Sequence, residues 1–168
     1  MSSNNEPIRI GQILIEHGVL TEQQVFEIIK SQKENHKPFG VLAEHMFDVT
    51  VESIEDAWVE QYARETGAID LSEQEIDIDA LKLINRRQAW QFEILPMRFE
   101  SGGELLMAAS KARLARAVAF VANKLEQVVY FRVAERDELR TFLQDHYPMP
   151  EISSEILERA KDLASDAA

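Results

Sequence analysis

The sequence contains no cysteine, which excludes disulfides, thiolate metal sites and cysteine nucleophiles. It has no apolar run near the ~20 residues a membrane-spanning helix needs, so direct membrane insertion is not expected. The start, Met1 to Pro7, carries no basic region followed by an apolar stretch, so no secretory signal is expected and the expected setting is cytoplasmic. Lys and Arg number 18 against 30 Asp and Glu, a formal net charge of −12. Nucleic-acid binding depends on basic side chains neutralising phosphates, so no DNA or RNA partner is expected. A small anion held by a few placed donors stays compatible, because a local site can oppose the global field.

Catalytic signatures are missing too. There is no G-x-x-x-x-G-K-[ST] sequence, hence no P-loop and no ATPase activity in this chain. Ser101-Gly102-Gly103 precedes a strand pattern rather than a helix, which makes it a hairpin turn and not a phosphate cradle. His17, His36, His45 and His146 show no His-x-x-x-His spacing, so no metal is expected. Glu73, Glu75, Asp77 and Asp79 alternate with other residues but lack the central glycine and closing glutamate of a calcium loop; a solvated edge leading into a helix cap accounts for them. No carboxylate pair stands out for acid–base work, and no catalytic residue or cofactor is expected.

What is present is a repeat. The 168 residues, 45% hydrophobic and 29% charged, suffice for one ordinary soluble domain or two small ones. Gly11 corresponds to Gly40, Thr21 to Thr50 and Gln32 to Gln61, each pair offset by the same 29 residues. Apolar positions follow at that offset: Ile13 with Leu42, Leu20 with Val49, Val25 with Ile54, Ile29 with Trp58. Each copy reads as helix, turn, helix. Gly18 sits where a left-handed residue closes the first helix, and Thr21 with Gln24 forms a capping box for the second. Thr50 caps again, and the last helix stops at Gly67. One hairpin cannot bury its apolar face alone, so the copies are expected to pack together. Capping alone suffices for Gly18 and Thr21, with a ligand role as the other reading. Gly11, Arg9 and Gln32 are harder to assign to packing. Glycine inside a helix start costs ~1 kcal/mol relative to alanine unless something approaches the backbone closely. Arg9 presents a planar fork suited to a guanine edge or a phosphate, the alternative being a solvated arginine.

Arg9 to Gln32 and Pro38 to Gln61 are each 24 residues long, with the five residues Lys33 to Lys37 between them. This layout resembles the N-terminal, MshEN-type domain of type II secretion and type IV pilus ATPases, closely over the repeat and more loosely to about Tyr147. The resemblance implies a tandem motif that binds cyclic di-GMP through an arginine, close-packed glycines, apolar side chains and a glutamine in each copy. Carried over, copy one offers Arg9, Ile10, Gly11, Leu14, Gly18 and Gln32, and copy two offers Phe39, Gly40, Leu42 and Gln61. Copy two departs where Pro38 stands at the arginine position and Phe47 at the second glycine. Lys37 is adjacent to Pro38 but lacks the bidentate geometry of arginine. Phe47 is a poor residue for a left-handed turn.

Beyond Gly67 the pattern changes. Ala68 to Leu71 reads as a short strand, and Asp79 as the cap of a helix carrying Leu81, Leu83, Ile84 and Trp90. Phe92 to Phe99 and Glu104 to Ala109 read as a hairpin, Lys111 to Leu125 as a helix, Gln127 to Val133 as a strand and Glu135 to His146 as a helix. The predicted fold is α+β, a four-helix pair of tandem helical hairpins followed by a small α/β sheet subdomain. Its divisions are residues 1–67, 68–148 and a C-terminal helix or tail over 149–168. In that last segment Ile152, Ile156, Ala160 and Leu163 form a thin apolar stripe, read either as a frayed tail or as a partner-docking helix. The functional expectation is a stand-alone, non-catalytic regulatory module binding cyclic di-GMP through a tandem motif with a degenerate second copy. The alternative is a protein–protein adaptor for a secretion, pilus or envelope complex with no nucleotide bound.

Overall fold

The computed structural model describes residues 8–150 and 154–166. Its first half is four helices, α1 (Ile10–Glu16), α2 (Glu22–Asn35), α3 (Phe39–Phe47) and α4 (Val51–Thr66). The Thr21 side chain accepts from the Gln24 amide while the Gln24 side chain returns to the Thr21 backbone, completing the capping box. Thr50 accepts from the Ser53 amide, a single cap without the return bond. Gly18 is left-handed at φ 70°, and the Val19 amide bonds back to the Leu14 carbonyl at 2.9 Å to seal the end of α1. Copy two solves the same turn differently. Phe47 stays in the helix with its side chain against the core, and Asp48 takes the left-handed conformation at φ 52°. Asp tolerates that region better than a bulky residue because its short polar side chain can bond locally. The expected cost of Phe47 in the turn is thereby avoided.

The helices pair across the copies, α1 against α4 and α2 against α3, so the first helix of each copy lies on the second helix of the other. The buried cluster between them consists of Ile13, Leu14, Leu20 and Ile28 from copy one and Leu42, Ala43, Val49 and Ala57 from copy two. Each of these is the 29-offset mate of one in the other set, so the duplication in sequence is a pseudo-twofold core in space.

The second half carries a four-stranded sheet in the order β1-β4-β3-β2, with β1 Ala68–Ile69, β2 Ile94–Phe99, β3 Leu105–Ser110 and β4 Val129–Ala134. β2 and β3 form the antiparallel hairpin closed by Gly103 at φ 89°. β3 and β4 run parallel, joined by a 3₁₀ turn (Lys111–Arg113) and α7 (Leu114–Lys124), and β1 pairs parallel with the end of β4. The chain is thus α+β, with helices packed on a mixed sheet. Every β3 residue is buried, as expected of a strand covered on both faces. Where one helix capped by Asp79 was expected, there are two, α5 (Ile78–Leu81) and α6 (Arg86–Phe92). Asp77 caps the first by accepting from the Asp79 amide. Asn85 starts the second through a capping box with Gln88 and so ends the run at Ile84. The predicted strand Ala68 to Leu71 is shorter, because Leu71–Glu73 turns into a 3₁₀ segment capped by Asp70.

α8 (Arg136–His146) completes the sheet half, and its Leu139 and Leu143 are fully buried in the second core. α4 joins the two cores, giving Ala57 to the first and Val59 to the second. α9 (Ser154–Asp166) is exposed throughout residues 154–164, so Ile156, Ala160 and Leu163 of the apolar stripe face water, and Ile152 lies outside the described residues. No helix among the described residues is long and apolar enough to cross a membrane.

Candidate functional site

Arg9 and Pro38 occupy the same structural position, the N-cap of the first helix in each copy, with similar extended backbone (φ −91°, ψ 143° and φ −58°, ψ 145°). Arg9 is exposed and forms no ion pair with a described residue; Pro38 offers neither charge nor donor. Beside Arg9 opens a cavity of about 460 Å³ lined by Ile10, Gly11, Gln32, Phe39 and Gln61 as well as Arg9 itself. These come from all four helices, so the two copies contribute to one space near their pseudo-twofold relation. The Gln61 amide donates to the Ile8 carbonyl at 2.7 Å, tying α4 to the entry of α1. No side-chain hydrogen bond of Gln32 to a described residue occupies its amide.

Four other residues singled out from the sequence lie elsewhere. Leu14 and Leu42 are core side chains. Gly18 is exposed, with nothing within 4 Å of where a Cβ would sit, so capping accounts for it. Gly40 packs on Ile54, whose Cγ2 would lie 3.1 Å from an added Cβ. Gly11 is the tighter of the pair: an added Cβ would meet Val25 Cγ1 at 2.9 Å and Phe39 Cζ at 3.2 Å. What approaches the backbone closely at Gly11 is therefore protein, and helix packing explains the glycine. Sequence reasoning missed Gln12, Ile15, Val25 and Ile29 as cavity walls. The signal was available, since Val25, Ile29 and Gln32 recur at helical spacing on one stripe of α2.

Chemically the cavity joins one guanidinium fork and three carboxamides, those of Gln12, Gln32 and Gln61, to aliphatic walls and the Phe39 ring. Such a site can grip a planar polar edge or a phosphate while covering an apolar face. The mirror position lacks the cation, and its counterpart of Ile29, Trp58, is turned to a different groove, where it stacks on Tyr62.

A larger cavity, about 650 Å³, lies between α4 and the C-terminal ends of β3 and β4. Its cations are engaged: Lys111 pairs with Glu60, and Arg136 grips Glu93 at 2.8 Å. Glu93 is 3% exposed, left-handed at φ 48°, and also accepts from Ser110 Oγ at 2.7 Å. Burial pushes its carboxyl up. Hydrogen bonds from Arg136 and Ser110, with the charges of Arg136 and Arg140, outweigh that and hold it below the usual carboxylate range. Glu60 is likewise held low, chiefly by the Lys111 hydrogen bond and then by Arg64. Arg64 also reaches Glu16 of α1 at 2.8 Å, so this cavity wall is an ion-pair seam joining helices to sheet. No group of three His, Asp or Glu among the described residues is arranged to hold a metal.

A family model for the MshEN domain matches residues 62–153. The chain belongs to the MshEN domain family. The MshEN match begins just past Gln61, running from the second half of α4 through the sheet and α8, while the tandem repeat lies before it. Among solved structures, one described as MshE with cdg is 23% identical, with a TM-score of 0.47 over 83% of this chain and 99% of that one. The N-terminal domain of XpsE is 15% identical, with a TM-score of 0.45 over 88% of this chain and 99% of that one. No curated protein matches.

Proposed function

We propose that this MshEN-family chain is a non-catalytic regulatory module that binds cyclic di-GMP in the cavity beside Arg9. The observation carrying this reading is that both repeat copies line that one cavity, with Arg9, Gln12, Gln32 and Gln61 as its polar groups. Arg9 is the electrostatic anchor, bidentate to a guanine edge or a phosphate. Gln32 and the unused oxygen of Gln61 read polar edges, and Phe39 with Ile10 covers an apolar or aromatic face. Gly11 serves indirectly, letting Val25 and Phe39 close the wall. Gly40, Leu14, Leu42 and Gly18 hold the scaffold that presents these groups. The helical unit 1–67 is the ligand-binding part in this reading, the unit 68–148 the part that passes occupancy on, and residues 149–168 its tail. A protein of a secretion, pilus or envelope complex is the receiver.

Because Pro38 leaves the mirror position without a cation, the site is one-sided. Micromolar or weaker affinity is expected, consistent with one charged anchor worth about 1.5–3 kcal/mol. Isothermal titration with cyclic di-GMP tests the reading. Heat is expected with the wild type and a loss of about tenfold or more in affinity with Arg9→Ala. No heat with the wild type leaves the adaptor role instead, and equal binding by both proteins refutes the site. Pro38→Arg is expected to tighten binding about tenfold, one charged hydrogen bond's worth. Phe47→Gly is left out of that reversion because Phe47 packs in the core rather than at the cavity.

A further inference from the structure

The cleft between α4, α7 and β4 takes no part in the Arg9 site. It measures about 410 Å³ and is lined by Trp58 and Tyr62 of α4, Val118 and Val121 of α7, and Val129 and Tyr130 of β4. Trp58 and Tyr62 stack with ring centroids 5.7 Å apart, and Trp58 and Tyr130 are 37% and 54% exposed. Aromatic rings and aliphatic side chains thus adjoin one another in one cleft instead of lying scattered over the surface.

The backbone beside it is open. β3 pairs with β4 along its whole length, whereas β1 reaches only Val133 and Ala134. The Leu105 amide donates to the Val128 carbonyl at 2.9 Å, a pattern that points Val129, Phe131 and Val133 away from β3. Val133 meets β1, and the Phe131 carbonyl accepts from the Tyr62 hydroxyl. The amide and carbonyl of Val129 have no strand beside them among the described residues. An edge of this kind accepts an added strand.

Charge narrows the occupant. Val51, Glu55, Trp58, Tyr62 and Glu65 fall on one stripe of α4 by helical spacing, so the stacked rings sit between two carboxylates. Glu55 and Glu65 are exposed and pair with no described cation; the ion pairs of α4 belong to Glu60 and Arg64, on another face. Acid flanking aromatic rings favours cations, both by direct attraction and over the ring faces. We propose that this cleft docks an extended basic segment of a partner protein, its aliphatic side chains between the helices, its backbone added beside Val129 and its Lys or Arg residues over Glu55, Glu65 and Trp58.

Fluorescence anisotropy of a labelled Lys-Val-Lys-Val-Lys peptide titrated with the full chain tests this. Saturable binding is expected, weakened about tenfold or more by Glu55→Lys with Glu65→Lys, by Trp58→Ala, and by N-methylation of both peptide valines. Glu73→Lys with Glu75→Lys makes the same charge change on another surface and is expected to shift affinity by about twofold or less, as distant exposed charges are screened. Absence of binding overturns the proposal. Equal weakening by the two charge pairs reduces it to general attraction by an acidic protein. Full binding of the N-methylated peptide removes the added strand. Tighter binding after deletion of residues 151–168 puts α9 in the cleft, and dissociation of a dimer by the peptide puts a second copy there; either outcome contradicts the assignment to a foreign segment.

Discussion

Copy one of the repeat begins its first helix on Arg9 and ends it on Gly18; copy two has Pro38 and Phe47 at those places and still folds onto the same pseudo-twofold core. The core residues are mates of one another, and so are the exposed caps Thr21 and Thr50, while Arg9 and Pro38 at the starts of the first helices differ. Burial constrains the first set because each apolar side chain must fill a space shaped by its mate's neighbours. Neither Arg9 nor Pro38 makes a side-chain cap hydrogen bond, so these two differ without cost to the fold. Scaffold symmetry and site symmetry are thus separate properties, and this chain keeps the first without the second.

The largest effect is expected in the core. Ile28 is fully buried where its mate is Ala57, so the pair already contains one small residue. Ile28→Ala is expected to cost about 3 kcal/mol in urea denaturation, from lost burial plus the cavity left behind. A change below about 1 kcal/mol, the size of an Ile→Val truncation, would mean the helices collapse into the gap and the pseudo-twofold core is loose.

The sheet half has an asymmetry of its own at Glu93. Because its folded carboxyl lies below the ordinary value of 4.5, its stabilising effect is present above that pH and is lost as pH falls through the lower folded value. Glu93→Gln is expected to destabilise by about 2 kcal/mol at neutral pH, and the difference from wild type should shrink steadily below about pH 4.5. A pH-independent difference would assign the loss to packing instead of charge.

The two glycines give a finer contrast. Gly11→Ala sets a methyl at 2.9 Å from the stiff Val25 side chain, and about 1–2 kcal/mol of destabilisation is expected after the gain in helix propensity. Gly40→Ala meets Ile54 at 3.1 Å, where a small shift suffices, and should be near neutral. Equal effects in thermal melts would remove the distinction. The turn gives a last contrast: Gly18→Ala at φ 70° should cost about 1 kcal/mol, whereas Asp48→Gly should be neutral or stabilising by a few tenths, because there glycine relieves the left-handed residue.

Much of this was legible from residue order. The repeat, the Thr21 and Thr50 caps, the Gly18 turn and the hairpin at Gly103 are local features, and local spacing specifies them. The exchange of partners between copies was not, because apolar spacing says which face of a helix is buried and not which helix covers it. Asp77 and Asp79 are equally good caps on paper; the Asp77 amide bonds to the Met97 carbonyl at 2.6 Å, a contact from β2 that fixes where the helix starts. For Gly11 the close approach was anticipated but not its agent, since Val25 and Phe39 come from two other helices. The Glu93 network had no local signal at all, because Ser110, Arg136 and Arg140 reach it only through the sheet.

In the proposed site the one charged anchor, Arg9, belongs to copy one, and Phe39 and Gln61 of copy two complete the cavity. Amide-resolved NMR titration of the full chain with cyclic di-GMP tests it most directly. Shifts are expected to concentrate on Gly11, Ile29, Gln32 and Phe39 and to need about tenfold or more ligand in Arg9→Ala. Shifts centred instead on the Trp58 cleft or on Ser110 to Arg136, or a pattern unchanged by Arg9→Ala, would contradict it.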